Sequence, residues 1–430
     1  MQVNSGVPIR CCARVAGKQS GRSDAEGSLF QSGNKLELVG PGRGGSEQAS
    51  VSHTFSRIYD AHASDREVFT QEVQPLVDKF VDGSNVTIGL LGDHRGGHGQ
   101  LLGSIAQPTV EAIFEAVEQR QAALGGTGGR LTPQLLVKYA GVVVGTELFS
   151  DLLAPGSSEL RVVSDPEAVG GAQLVGGGTG LSAASVPQPA AFGELFRTGR
   201  ARLLQLHKPP PPSSALFFEL TQQVAAANGG SGSDGDGYDS VVSQLVILDV
   251  EVGMHGDPLW NAMRQTLSSA SQQQPLGGAS GASLLLRDAL GGNARTLLLG
   301  CVQPADYAES AATLQLLSLG RELHTFPLVN DKMARGLLHR YHRQLHALHE
   351  LLSAAEGKLS RGVEQLSQDR EQLPQRVLGA TDRLQSVVDQ MQQDAAGAAS
   401  EKQTLMAEVL QLRHKVNDSI GEARALKAEL

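Results

Sequence analysis

A run of apolar residues, a cluster of glycines and a helical pattern follow one another in TIGLLGDHRGGHGQLLG, residues 87–103. Short apolar runs of this length are typical of buried strands, and glycines permit a tight turn from a strand into a helix. The same layout is found in phosphate-binding loops, where backbone N–H groups at a helix start surround a phosphate. This stretch therefore constrains the chain to an architecture in which strands and helices pack in layers.

The alternation of apolar runs and helical patterns extends over residues 1 to about 331. The predicted strands are VPIRCCARV, NVTIGLL, QLLVKYAGVVVGTELFSDLL, SALFFELTQQV, SQLVILDVEV and RTLLLGCVQP. Helical spacing predicts a helix in DREVFTQEVQPLVDKFVDG, ended by Gly83, and another in PTVEAIFEAVEQRQAAL, with Pro108 in its first turn. Glycine- and serine-rich segments at 124–130 and 228–239 predict surface loops. The pattern as a whole predicts an α/β head with a central mixed sheet flanked by helices.

Apolar residues at a seven-residue spacing characterise residues 332–430. One series is Leu338, Leu345, Leu352, Leu359, Leu366 and Leu373, and the next is Val377, Leu384, Met391, Ala398, Leu405 and Leu412, with companions at Val388, Ala395, Val409 and Val416. A sustained heptad buries an apolar seam by pairing helices, so this region is predicted to be an α-helical coiled coil through which the chain dimerises. Pro374, between the two series, is expected to break the helix. The spacing leaves parallel and antiparallel pairing open.

The charge, the cysteines and the hydropathy of the chain indicate which partners and which location to expect. The formal net charge is −9, and it resides in residues 1–331, because acidic and basic side chains nearly balance beyond them. An acidic chain is not expected to bind nucleic acid. Adjacent Cys11 and Cys12 should point to opposite faces of a strand, so three cysteines imply no disulfide framework, and we expect a cytoplasmic location. Without an apolar run of about 18 residues, no membrane partner is expected.

Three groups of residues have features of metal sites. In each group a metal-free surface is the simpler interpretation, because the loops lack preorganised ligands and the tail helix carries neighbouring arginines. We therefore predict no metal site at any of them. The groups are Asp234, Asp236 and Asp239; His339, His342, His346 and His349; and His94 with His98.

Several segments, in their order along residues 7–331, resemble a kinesin motor domain. HTFSRIYDAHASDREVFTQEVQPLVDKFVDGSNVTI is similar to the family's F-x-F-D strand, P-L-V helix and G-x-N-x-T-I strand. LLRDALGGNARTLLLGCVQPADYAESAATLQLLSLGREL is similar to L-L-x-D-S-L-G-G-N-x-K-T and the segment that follows it. HTFPLVND, residues 324–331, resembles the family's neck linker. The resemblance implies a phosphate-loop head over residues 1–331, followed by the tail, residues 332–430.

The resemblance aligns the opening stretch with the family's phosphate loop, G-Q-T-G-S-G-K-T. Gly92 and Gly97 then stand at the two framing glycines, and Arg95 replaces a glycine. His98 stands where a lysine reaches the β- and γ-phosphates, and Gly99 stands where a hydroxyl binds Mg²⁺. We expect His98 to be exposed and mostly uncharged, so that replacing it with alanine has little effect on stability.

Three further vestigial nucleotide-binding positions follow from the same resemblance. Arg14 remains from the R-x-R-P strand end that packs on adenine in the family. Ser213 remains from the first switch, N-x-x-S-S-R-S-H, in a segment where 210–212 are prolines. Asp249 remains from the second switch, D-L-A-G-S-E, while Val252 replaces its glycine and Met254 its glutamate.

Together these changes predict a non-motile kinesin-like pseudo-motor that acts as a scaffold at microtubule-based structures. Because of these departures from the family's motifs we expect no catalytic residue, no metal and no cofactor, with ATP and Mg²⁺ relevant only if residual nucleotide binding persists. The expected partners are a second copy of the chain and, on the family analogy, tubulin or centriolar and ciliary proteins of the cytoskeleton. The alternatives are a divergent ATP-dependent microtubule motor and a nucleotide-binding module without turnover.

Overall fold

A computed structural model describes most of the chain. It covers residues 6–16, 28–40, 50–125, 130–154, 156, 159–165, 168–169, 171–207, 209–225, 238–271, 280–303, 305–372 and 381–429. Most of the two predicted glycine-rich loops, including Asp234 and Asp236, lies outside these residues, as does Pro374. The side chains of the four tail histidines also lie outside the description.

Strands and helices alternate in the first part of the chain, and long helices form the second. The strands are β1 (Val7–Pro8), β2 (Arg10–Val15), β3 (Ser28–Ser32), β4 (Lys35–Val39), β5 (Ser50–Thr54), β6 (Arg57–Tyr59), β7 (Asn85–Gly92), β8 (Arg130–Val142), β9 (Leu148–Asp151), β10 (Leu160–Ser164), β11 (Ala172–Gly176), β12 (Thr179–Gly180), β13 (Ala184–Ser185), β14 (Ser214–Ala225), β15 (Tyr238–Glu251), β16 (Ala294–Val302) and β17 (His324–Thr325). The helices are α1 (Asp65–Val68), α2 (Gln74–Val81), α3 (His98–Gly125), α4 (Pro189–Leu206), α5 (Pro258–Ser271), α6 (Gly281–Leu286), α7 (Tyr307–Arg321), α8 (Lys332–Gln372) and α9 (Thr381–Glu429).

The described chain divides into two compact units, the head Gly6–Met333 and a tail that begins at Ala334. The head is built on a mixed sheet with the strand order β12-β11-β10-β9-β8-β14-β15-β7-β16-β2-β6. One half of the sheet is parallel and consists of β15, β7, β16, β2 and β6. In the other half, β14 pairs antiparallel with both β15 and β8. The predicted α/β class with a central mixed sheet is confirmed.

This sheet separates two hydrophobic layers. One layer contains Cys12, Ile88 and Leu90 together with side chains of α2, α3 and α4. The other contains Cys11 and Leu91 with side chains of α5, α6 and α7. Adjacent residues therefore serve opposite layers, as the twofold side-chain period of a strand requires. The parallel strand β7 is buried along its whole length, as expected for a strand covered on both faces.

Two sequence-based helix predictions have different outcomes. The first helix is present as α1, a π-helical turn (Phe69–Val73) and α2, and Gly83 follows with a φ of 99°. The second prediction, which placed Pro108 in a first turn, is wrong, because α3 begins ten residues earlier at His98. The apolar stripe that contains Leu101 and Ile105 is fully buried and continues past the proline. Its burial outweighs the cost of an interior proline, about 3 kcal/mol.

Helices α8 and α9 pair within one chain in the tail. The Nζ atom of Lys402 lies 2.5 Å from Oε1 of Glu356, and a Cβ atom at Gly362 would lie 3.5 Å from Cε of Met391. A later residue of α8 thus meets an earlier residue of α9, so the two helices run antiparallel. Six residues of the predicted seam are among the less exposed described side chains of α9, namely Val388, Met391, Ala395, Leu405, Val409 and Val416, whereas Ala398 and Leu412 of that seam are exposed.

Among the described residues, no helix is both long and apolar enough to cross a membrane.

Candidate functional site at the phosphate-loop position

The loop after β7 is shaped by glycines that lie against β16. A Cβ atom at Gly92 would lie 2.7 Å from the carbonyl oxygen of Cys301, and one at Gly96 would lie 2.6 Å from the same oxygen. Gly97 has a φ of 85°, a value that favours glycine. The loop closes through Asp93, whose Oδ1 accepts from the backbone N–H of Gly96 at 2.9 Å. Packing against β16 therefore requires glycine at 92 and 96, and the backbone conformation favours glycine at 97, whether or not a phosphate binds.

His98, the first residue of α3, is buried between two carboxylates at the end of β15. Its Nδ1 lies 2.5 Å from Oδ1 of Asp249, and its Nε2 lies 3.0 Å from Oε2 of Glu251. Only 4% of the residue is exposed. The prediction of an exposed His98 is wrong, because α3 starts at this residue and directs its side chain onto the sheet edge instead of into the loop.

The two contacts also determine the charge of His98. Both ring nitrogens face carboxylates, so both must donate, and only the protonated imidazole can do this. Burial lowers the pKa of His98, but the carboxylates of Asp249 and Glu251 outweigh burial and raise the pKa to about 10. Burial raises the pKa of Asp249, and His98 and Arg200 together bring it below its usual value. The prediction of a mostly uncharged His98 is therefore wrong as well.

Arg200, on α4, completes the group. Its Nη1 lies 3.2 Å from Oδ2 of Asp249, and its Nη2 donates to the carbonyl oxygen of Gly99 at 3.3 Å. We call His98, Arg200, Asp249 and Glu251 the ion cluster. It contains two cations and two anions, and so it is neutral as a unit.

Sequence reasoning missed Arg200 and Glu251. Glu251 had a detectable signal, because Asp249 and Glu251 are two residues apart in an otherwise apolar strand and must share one face. A pair of carboxylates at the end of a buried strand requires a cation nearby. Arg200 had no comparable signal, since a charged residue on an amphipathic helix is usually solvated.

Ser213 connects the segment after the prolines to the same strand end. Its Oγ accepts from the backbone N–H of Glu251 at 2.9 Å, and its own N–H donates to Oδ2 of Asp257 at 3.1 Å. Asp257 is fully buried and also accepts from two N–H groups at the start of α5. The backbone N–H of Val252 donates to the carbonyl oxygen of Gly92 at 2.8 Å. Ser213 and the backbone N–H of Val252 thus bond to the protein itself.

Of the residues predicted for the site, all but Arg14 converge on this region. Gly92, Gly97, His98 and Gly99 form the loop and the helix start, Asp249 contacts His98, and Ser213 contacts Glu251. Arg14 lies in register with Cys301, which is itself in register with Gly92, so it stands two strands from the loop. Its side chain pairs with Asp65 at 2.5 Å.

The donor set at this site does not match that of a magnesium-bound nucleotide. His98, the cation at the lysine position, contacts carboxylates with both ring nitrogens. A phosphate bound there would face Asp249 and Glu251. A Cβ atom at Gly99 would lie 3.3 Å from Nη2 of Arg200, so the place of the missing hydroxyl adjoins a cation. Within the described residues, no group of three or more His, Cys, Asp or Glu side chains could hold a metal ion.

The segment that resembles a neck linker is docked on the head. Strand β17 pairs antiparallel with β1. Nδ2 of Asn330 donates to Oδ1 of Asn85 at 2.7 Å, and Oδ1 of Asn330 accepts from Asn293 at 2.9 Å. Leu328 is buried, and its N–H donates to Oδ1 of Asn293. The segment therefore lies at the start of β7, at the opposite end of that strand from the ion cluster.

Comparison with curated sequences identifies several kinesins that are similar to this chain. Kinesin-like protein KIN-4A of Gossypium hirsutum is 23% identical over 394 residues, 79% of this chain and 37% of that protein. Chromosome-associated kinesin KIF4 of Xenopus laevis is 22% identical over 80% of this chain and 29% of its own length. The chain thus matches about a third of the length of these relatives. No family model matches the chain.

Solved kinesin structures share the fold of the head. One is a KIF14 dimer in a two-heads-bound state with AMP-PNP in complex with a microtubule, which has a TM-score of 0.61 at 17% identity and covers 76% of this chain and 97% of its own. Another is a fast kinesin, with a TM-score of 0.57 at 20% identity over 76% of this chain and 94% of its own. The head therefore has the fold of a kinesin motor domain.

Proposed function

We propose that the chain is a non-motile kinesin-like pseudo-motor, a structural protein of the microtubule cytoskeleton whose head does not hydrolyse ATP. The observation that carries this proposal is the position of His98. The side chain that stands where a lysine would reach phosphate is already bonded on both nitrogens to Asp249 and Glu251.

The electrostatics of the site argue against phosphoryl transfer. Such a reaction depends on cations that stabilise negative charge developing on the transferred group. The cations of the ion cluster are already neutralised by carboxylates, and Gly99 and Met254 supply neither a metal ligand nor a switch glutamate. A phosphate would have to displace buried ion pairs, which strongly disfavours turnover.

Residues 258–287, which resemble the filament-binding side of kinesins, have little positive charge. Between 258 and 287 the sequence contains only Arg264 and Arg287 as basic residues. Nη2 of Arg287 donates to the carbonyl oxygen of Gly171 at 2.8 Å, which leaves Arg264 as the exposed cation of α5. Long-range attraction to an acidic filament should therefore be weak, and association through a bound partner is favoured over direct motility.

The tail supplies the second part of the proposed role. We propose that it self-associates or docks on a partner at a microtubule-based structure such as a centriole or cilium. The antiparallel pairing of α8 and α9 leaves several large apolar side chains exposed, among them Leu351, Val363 and Leu410. A second copy of the chain is the simplest candidate to cover them, since exposed apolar surface favours association.

The test is microtubule-stimulated phosphate release by the full chain, with an active kinesin as the positive control. We expect no turnover above background. Turnover on the order of one per second, at the low end of typical enzyme rates, would refute the proposal. Equilibrium binding of a fluorescent ATP analogue separates the remaining alternative, because a nucleotide-binding module would bind the analogue without releasing phosphate.

A further inference from the structure

Three separate segments meet at His98 and are joined only by contacts within the protein. The loop contributes the backbone N–H of His94, which donates to Oε1 of Glu251 at 2.8 Å. Helix α4 contributes Arg200, which bonds Asp249 and the carbonyl oxygen of Gly99. The strand end of β15 contributes the two carboxylates. Each of the four carboxylate oxygens of Asp249 and Glu251 thus has a partner inside the protein.

The charges of the ion cluster balance without any ligand. Two carboxylates buried at a strand end would be strongly destabilising unless cations neutralised them. His98 and Arg200 provide both positive charges, and the exposed fractions of the side chains of His98, Asp249 and Glu251 are only 5%, 5% and 3%. The cluster therefore requires neither a metal ion nor a nucleotide to be satisfied.

We propose that the ion cluster is a built-in pin that holds the phosphate-loop region, α4 and the end of β15 in one arrangement without a ligand. The inference rests on the proposed absence of turnover, because a head that cycled with nucleotide would have to break these contacts at every step. Ser213 and Val252 extend the pinned region, since Oγ of Ser213 accepts from the backbone N–H of Glu251 and the backbone N–H of Val252 donates to Gly92.

The pin has a consequence at the far end of the head. The pinned strand β15 pairs with β7, and β7 carries Asn85, which accepts from Asn330 of the neck-like segment. Both strands are buried along most of their length and form part of one sheet. A head whose loop region is fixed in this way presents one constant surface to a partner, as a scaffold requires.

Hydrogen exchange of the full chain tests the pin. We expect peptides that cover residues 92–99 and 249–257 to exchange slowly and to be unchanged by millimolar ATP with Mg²⁺. In His98→Ala the same peptides should exchange at least about tenfold faster, because the variant leaves two buried carboxylates with one cation. Peptides of β3 and β4, which belong to a separate three-stranded sheet, should not change.

His94→Ala is the matched control, since it removes a ring that is 45% exposed, with Nδ1 3.6 Å from Oε1 of Glu251, and keeps the 2.8 Å backbone N–H contact with that oxygen. If His98→Ala does not fold, Glu251→Gln replaces it, because this variant keeps the side-chain shape and removes one charge. Unchanged exchange in the folded variant would overturn the pin, and so would an ATP-dependent change in the wild-type peptides. Phosphate release by the wild type, measured on the same samples, would instead refute the proposed function.

Discussion

His98 illustrates how the surroundings of one side chain set its charge. In a solvated loop a histidine is mostly neutral at pH 7. Here both of its nitrogens face carboxylates, and its pKa rises to about 10 despite burial. His98, the residue at the lysine position, is therefore a cation, but its charge is neutralised by carboxylates of the protein itself.

The raised pKa of His98 predicts how the free energy of unfolding of the head depends on pH. A group whose pKa is raised on folding contributes stability that is fully present below its unfolded pKa, about 6.5, and is lost as pH rises through its folded pKa. We expect the free energy of unfolding of the wild type to fall between pH 6.5 and about 10. His98→Gln, which cannot carry the proton, should lack this component.

The measurement is urea unfolding from pH 6 to 10 with wild type, His98→Gln and His94→Gln. Burial also raises the pKa of Cys11, Cys12 and Cys301, so part of the loss at high pH is common to all three proteins. Only the difference between them reports on His98. Identical pH slopes in wild type and His98→Gln would show that His98 is not protonated in the folded head.

A second residue-scale prediction concerns Ile88. This side chain is fully buried in the layer beneath α3, so Ile88→Ala should lower the free energy of unfolding by about 2–5 kcal/mol. His94→Ala, which removes a ring that is 45% exposed, should change it by about 0.5 kcal/mol or less. Thermal and urea unfolding of both variants will measure the two effects. Equal effects would mean that β7 is not part of the rigid core.

At the scale of elements, the tail shows that a heptad pattern specifies a seam without specifying its partner. Six seam residues of α9 are partly or fully buried, and the two contacts between the helices join α9 to α8 of the same chain. Pairing within the chain occupies the surface that a dimer through the same seam would need. Self-association, if it occurs with this pairing intact, must use the outer side chains.

Two variants distinguish these surfaces. Leu405→Asp places a charge in the seam and should reduce the helix content measured by circular dichroism. Leu410→Asp changes a side chain that is 57% exposed, so it should keep the helices but weaken any dimer seen by sedimentation at tens of micromolar. A wild-type monomer at these concentrations would contradict self-association. A dimer lost only in Leu405→Asp would place the interface at the seam instead.

At the scale of the whole molecule, the departures from the kinesin motifs that the sequence resembles are distributed over several segments. The loop lacks lysine and a metal-binding hydroxyl, the first switch contains three prolines in place of Ser-Ser-Arg, and the second switch lacks its glutamate. A single repair should therefore fail.

The double variant His98→Lys/Gly99→Thr tests this expectation. A lysine at 98 should remain bound by Asp249 and Glu251, and a side chain at 99 would crowd Arg200. We expect no microtubule-stimulated phosphate release from the variant, provided circular dichroism shows that it is folded. Measurable release would mean that the two switches still function and would remove the main support for a scaffold.

The sequence by itself determined the strands β2, β7, β8, β14, β15 and β16, the buried positions of Ile88 and Leu90, the opposite faces of Cys11 and Cys12, and most of the described seam of α9. These features depend on local periodicity, which residues close together in the sequence determine. The sequence did not predict β3–β5, β10–β13 or α4. Only the tertiary structure decided the charge of His98, because its two carboxylates come from 151 and 153 residues away. It likewise decided that α3 runs through Pro108 and that α8 and α9 pair within the chain, since burial against distant elements overrides local propensity there.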